Sequence, residues 1–435
     1  MARLRRDHFI DLRPFTQSPA FARMWTGSTL AGLGGQLTIV AVMLHMYDLT
    51  GSTFAVSMIA VSGLVPMIIA GLYGGMLADA FDRRRVALIA ASVTWISTAL
   101  LAALAWGGLE TVVWLYVLSV VNSAANSIVG AARQAIVPRL LPRDLLPAAS
   151  ALNGIAMGIT VMGGPALAGV LVAFTGYAWT YSIDVVMMLA NFLGLWSLPA
   201  IRPEGEIVRP GLESLRDGWR FLRRASNIRL QFLLDIIAMT FGQPVALFPA
   251  IGAVLLGGGA ITTGLLTASI AAGAFLCSVF SGPFGRVRRQ GLGIERAIMV
   301  YGCAIALFGL ALGAAAAGWF APATVDEAHP NIPLTAVAMV ALAIAGAADN
   351  VSSIFRNTMV QAAVPDAVRG RLQGIFIVVV TGGPRLGALY AGTLATVAAL
   401  WFPPLLGGLI IVALVAVLVR LSPRFRLYDA EHPEP

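Results

Sequence analysis

Twelve apolar stretches, each about as long as a bilayer is thick, run through this chain. They lie at residues 24–47, 53–75, 86–106, 111–132, 148–174, 179–198, 230–254, 259–280, 297–320, 332–354, 372–397 and 402–419. A helix needs roughly 20 apolar residues to cross the hydrocarbon core. A soluble core could not hide this many, because single cores stop growing near ~250–300 residues. The composition agrees: of 435 residues, 58% are apolar and 11% charged, against roughly 45–50% and 25% in soluble proteins. Disorder is excluded by the same figures. The sequence therefore predicts an all-α membrane protein with twelve transmembrane helices, numbered here as spans one to twelve. Most are rich in Gly, Ala, Leu and Val, as close helix packing in lipid favours.

All 29 basic residues are arginine. Twenty-eight of them fall in the N-terminal segment, in the connectors after even-numbered spans and in the C-terminal tail; Arg385 alone lies inside a stretch. The connectors after odd-numbered spans hold none and carry Asp48, Glu110, Asp326 and Glu327 instead. The positive-inside rule then predicts a plasma (inner) membrane protein with both termini in the cytoplasm and an even number of crossings. The net charge of +8 belongs to one membrane face, so a lipid bilayer rather than nucleic acid is the expected partner. The basic start is not a secretory signal, since the first stretch is too long and lacks a convincing cleavage site.

The chain has no lysine. This excludes a Walker-type ATPase, whose Lys must reach the nucleotide phosphates, and Schiff-base chemistry. Four scattered histidines, His8, His45, His329 and His432, form no metal-ligand spacing. Cys277 and Cys303 sit in apolar surroundings, as small hydrophobes do. The expectation is no metal, no cofactor and no enzyme, with the proton gradient as the energy source.

The two halves repeat. Arg133 and Arg356 close spans four and ten, each with a proline nine residues on (Pro142, Pro365) and a polar residue seven before (Asn126, Asp349). "GGPAL" in span five returns as "GGPRL" in span eleven. The expected division is a six-helix bundle at 1–200, a cytoplasmic linker at 201–228 with an amphipathic helix at 212–224, and a second bundle with its tail at 229–435. Two bundles related by a pseudo-two-fold axis are a common transporter plan, with binding near mid-membrane at the repeat interface.

"GGMLADAFDRRRV" (74–86) resembles the loop signature of the major facilitator superfamily, with Gly75, Leu77, Asp79, Arg83 and Arg84 matching. Ala80 stands where a basic residue is usual and Asp82 where glycine is. "GITVMGGPALAG" (158–169) resembles the span-five antiporter motif, through Gly158, Gly164, Pro165 and Gly169. Other phrases, among them "ADNVSSIFRNTMVQAAVPDAVRGRLQG", resemble the drug and siderophore:proton antiporter branch. The resemblance implies the major facilitator fold, export rather than import, and a conformational latch formed by Gly75, Asp79, Arg83 and Arg84. It also implies that spans seven and ten face the central cavity. The branch often carries an arginine in mid span four; here Asn122 and Asn126 occupy that span.

Ionisable residues inside spans are functional by default. Asp235 and Asp349 are expected at similar depth in spans seven and ten, ~9–11 Å above the flanking Arg229 and Arg356 at 1.5 Å per residue. A carboxylate that passes between dry and wet settings takes up and releases protons. Asp349 is the first candidate for proton coupling, Asp235 the second and Asp184 of span six the third. Arg385, which cannot be discharged, is either paired structurally or meets an anionic cargo. The cavity wall is expected to include Gln36, Asn122, Asn126, Met239, Phe241, Gln243, Phe248, Asn350, Phe355, Arg385 and Tyr390, a lining suited to an amphipathic molecule. The expected function is export of a drug-like or siderophore-like small molecule by proton antiport, by a monomer with rocker-switch alternating access. A lipid or glycolipid exporter is the alternative; a membrane-embedded enzyme or a non-transporting sensor is more distant.

Overall fold

The computed structural model describes residues 11–201, 220–280, 284, 287–319, 329–364 and 366–431, with the backbone alone for 78, 79, 143 and 366–381. Among the described residues each of the twelve apolar stretches is largely helical; that of span seven leaves the helix at 242–244 and goes on in short helical turns to Leu255. Among the described residues, ten helical segments are long and apolar enough to cross a membrane. One of them, Leu146–Trp196, has 51 residues. At 1.5 Å per residue that is about 75 Å, more than twice a hydrocarbon core of ~30 Å. Gly176 breaks it, with φ 79° and ψ 178°, a backbone conformation open essentially to glycine alone. It is the turn between spans five and six. Span eleven is the helix Asp366–Val397. Most of the amphipathic segment expected at 212–224 lies outside the described residues; 220–224 is helical.

Side-chain caps set where several spans begin. Ser52 accepts from the Ala55 amide, Thr111 from that of Trp114 and Asn331 from that of Leu334, satisfying donors that a helix leaves open in its first turn. Span three, Arg83–Gly107, is capped by Asp82, whose carboxylate accepts from the Arg84 amide.

The helices pack as two compact units, Met1–His45 with Val65–Arg209, and Met46–Leu64 with Pro210–Pro435. Span two is thus shared: its helix stops at Ser62 and resumes at Leu64. The first half, Thr53–Ser62, is held to span eleven. The Thr53 hydroxyl donates to the Gly392 carbonyl at 3.1 Å, and Gly392 packs against Thr53 and Ser57. Arg385 Nε donates to the Ala60 carbonyl at 3.0 Å.

The first unit centres on Phe21, Met24, Ile136, Leu145, Leu152 and Leu195. The second centres on Phe248, Ile298, Phe308, Leu342, Met359 and Ile411. Many other apolar side chains face outward: Phe174, Leu193, Trp196 and Val397 are 71–78% exposed. Apolar surface on this scale is stable only against lipid.

In the second unit, glycines bring helices into backbone contact. Gly273 of span eight lies against Ala343 of span ten, and Gly346 of span ten against Ile270 of span eight. A side chain at either glycine would meet a carbonyl of the facing helix. Gly346→Leu is therefore expected to force the pair apart at a cost of about 1–3 kcal/mol or more, seen as a lowered melting temperature and loss of monodisperse protein in detergent. The C-terminal tail is tied down by Arg288, which reaches Asp429 at 2.9 Å and Glu431 at 2.7 Å.

Candidate functional site

Span seven starts at Ser226 and carries Gln231 and Asp235 one turn apart. Span ten, Ile332–Ala363, carries Asp349, Ser352 and Arg356, at spacings of three and four that align them on one face. The sequence reading treats Arg356 as a flanking charge beyond the end of span ten. In the structure the helix continues two turns past it, and Arg356 turns into the unit. Its Nη1 pairs with Asp235 Oδ1, and its Nη2 lies 3.5 Å from Asp349 Oδ1. One guanidinium thus stands between two carboxylates.

Exposure separates the two acids. The side chain of Asp235 is 2% exposed, that of Arg356 8% and that of Asp349 40%. Asp235 is sealed with its counter-charge, while Asp349 is the more exposed of the two acids. Around them, Asp235 Oδ2, the Ser352 hydroxyl and both amide atoms of Gln231 are buried with no hydrogen-bond partner among the described residues. Buried polar groups are normally satisfied, and each one left over costs about 1–3 kcal/mol. So many beside an ion pair mark a place shaped for something other than stability. Gln231 and Ser352 are not among the sequence candidates, and Arg356 is there only as a flanking charge; their spacing to Asp235 and Asp349 is the signal that could have found them.

The other expected residues fall into several settings. Asn350 accepts from the Ser278 hydroxyl at 3.2 Å. Met239 and Gln243, joined by a 3.5 Å contact, lie against Gly383 and Gly387 of span eleven. Phe241 and Tyr390 meet edge to face at 5.2 Å. Phe355 is buried against Phe284. Phe248 is fully buried and meets Phe308 edge to face, so it serves the core. Arg385 of span eleven has the Ala60 carbonyl as a partner.

In the first unit, Asn126 donates to Asn122, which donates in turn to Thr98 at 3.0 Å, tying span four to span three. In the antiporter-like stretch, a side chain at Gly164 would strike Gln36 of span one; Pro165 removes one helical hydrogen bond beside it, and Gly158 and Gly169 lie on the same helix. In the loop signature, Arg83 donates to the Ala135 carbonyl at 2.9 Å and Arg84 to that of Trp196 at 2.7 Å. Asp82, the departure from the usual glycine, also accepts from the Ile201 amide at 3.1 Å. Gly75 has open space around it. The side chain of Asp79 lies outside the described residues. Asp184 is buried, and its Oδ2 accepts from Thr38 Oγ1 at 2.6 Å.

The chain resembles known transporters over nearly its whole length. The enterobactin exporter of Shigella boydii serotype 18 is 28% identical over 415 residues, 94% of each protein. That of Escherichia coli O139:H28 matches to the same extent. Among solved structures, a POT family transporter in complex with 5-aminolevulinic acid shares the fold at TM-score 0.70 and 11% identity, over 94% of this chain and 97% of that one. An inward-open xylose transporter from E. coli does so at 0.65 and 15%, over 93% and 96%. These relatives and neighbours are transporters, and so is this protein; it is not an enzyme. Residues 11–434 match the transmembrane secretion effector family, and the chain belongs to that family of the major facilitator superfamily.

Proposed function

We propose that the protein exports an amphipathic small molecule, siderophore-like or drug-like, from the cytoplasm in exchange for protons. The observation that carries this reading is the single arginine shared by a sealed and an accessible carboxylate on spans seven and ten. With both acids ionised the trio bears one net negative charge; with one proton it is neutral. The accessible Asp349 takes the proton, Arg356 then belongs to Asp235 alone, and spans seven and ten repack. Release of the proton on the other side draws Arg356 back. Such a two-state element is what rocker-switch alternating access requires. Asp79, Arg83 and Arg84 act as the latch of one end state. The one-sided arginines support cytoplasmic termini in the inner membrane.

The cargo class follows from the relatives, which are named as enterobactin exporters. The test is a strain lacking its own exporters, with and without this protein, assayed for siderophores in the medium and for resistance to a panel of lipophilic drugs. At least a severalfold gain in secreted siderophore or in drug tolerance is expected, lost on collapsing the pH gradient. No change for either class, with lipid or glycolipid appearing in the outer leaflet instead, would replace this cargo assignment.

A further inference from the structure

The first unit holds a second set of buried titratable groups that the arginine-centred site does not use. Span one and span six run antiparallel, and their polar residues face one another. On span one these are Thr38 and His45, seven residues apart; on span six they are Tyr177, Tyr181 and Asp184, at spacings of four and three, which keep them on one face. His45 Nδ1 lies 3.2 Å from the Tyr181 hydroxyl, and its ring stacks on Tyr177 with centroids 4.1 Å apart. His45 Nε2 lies 3.7 Å from Glu110 in the turn between spans three and four. Asp48 follows three residues after His45 on its own helix. Deeper in, Asp184 meets Thr38 and the backbone of Gly34, and Trp95 of span three donates to the next carbonyl, that of Val185.

Asp184 forms no ion pair among the described residues, and its Oδ1 is buried without a hydrogen-bond partner. An isolated carboxylate in such a place is costly when charged and tolerable when neutral. We propose that Asp184 is a second protonation site, and that Glu110, His45 and Tyr181 are the port through which its proton passes. Glu110 is 21% exposed while His45 is 5% exposed, so protons from water meet Glu110 first. A small rotation of that side chain closes the gap to Nε2. The proton moves from Glu110 to Nε2, the Nδ1 proton moves to the Tyr181 oxygen, and the hydroxyl's own proton passes over an intervening water to Asp184, one helical turn deeper. One proton enters and one arrives; Glu110 ends ionised, Tyr181 a neutral phenol and Asp184 a neutral acid. Imidazole tautomer exchange restores the starting arrangement.

The inference stands on the first unit alone, so it is tested in the Asp349→Asn background, where failure of the antiport reading has no bearing on it. The full chain in liposomes is followed by infrared difference spectroscopy across pH steps. A protonated-carboxyl C=O band is expected, absent in Asp184→Asn. In His45→Gln the band should reach the same final amplitude but grow at least tenfold more slowly after a pH jump, a kinetic effect that a merely structural histidine would not produce. Thr38→Val, which removes the hydrogen bond to Oδ2 at nearly constant shape, should shift the band even if Asp184→Asn does not fold. A band that survives Asp184→Asn or is unmoved by Thr38→Val overturns the site. Unchanged kinetics in His45→Gln overturn the port.

Discussion

Asp349→Asn is expected to abolish cargo movement against a gradient while leaving the protein folded. Asparagine keeps the shape of the side chain, and the buried Asp235–Arg356 contact does not depend on it. Folding should therefore change by well under the cost of breaking a buried pair. What the amide cannot do is release a proton. At 100 mV one proton supplies ~2.3 kcal/mol, enough for a roughly fifty-fold cargo ratio at ~1.4 kcal/mol per tenfold. In everted vesicles the pH-driven accumulation ratio should fall from that order to about one. Exchange of labelled for unlabelled cargo, which needs no net proton flow, should persist. Undiminished pH-driven uptake by the variant would remove Asp349 as the coupling acid.

Much of the architecture was legible because the bilayer leaves so few options. Backbone groups in lipid must be satisfied internally, so each apolar stretch had to be mostly helix, and among the described residues each is. Where one helix ends was less legible. Hydropathy measures the thickness of the membrane, not the length of the helix. The apolar run of span ten stops near Ile354, whereas the helix goes on to Ala363. That difference turned Arg356 from a surface charge into the centre of the site. Asp235 and Asp349 stand out in the sequence as charges in apolar runs; Arg356, which lies between them in the structure, stands at the end of one. The break at Gly63 was hidden for another reason. What holds Thr53–Ser62 there is the meeting of Thr53, Ser57 and Ala60 with span eleven more than three hundred residues away, and no local pattern records that. His45, one of four scattered histidines in the sequence, gains its partners Tyr177 and Tyr181 only through the packing of span six on span one.

Arg356→Leu is expected to be the most damaging single change in the second unit. It leaves the Asp235 carboxylate, 2% exposed, with no counter-charge. Removing one partner of a buried pair costs about 3–5 kcal/mol, because the survivor remains desolvated. Purified protein should melt many degrees lower or fail to accumulate. Asp235→Asn removes the opposite charge and should be damaging too, since it strands the guanidinium against Asp349 alone. The double variant Asp235→Asn/Arg356→Leu takes both charges away, and removal of a whole buried pair is often nearly neutral. Its stability should return toward that of the native protein, giving a coupling energy of about 3 kcal/mol or more in the double-mutant cycle. Transport should not return with it, because Asp349 then has no cation to surrender or regain. Arg356→Lys separates charge from geometry: an ammonium is a point charge without the planar fork that reaches two carboxylates at once. It should fold, and should transport at a small fraction of the native rate. If Arg356→Leu were as stable as the native protein, the pair would carry no net energy. If the double variant pumped cargo against a gradient, the shared arginine would have no part in coupling.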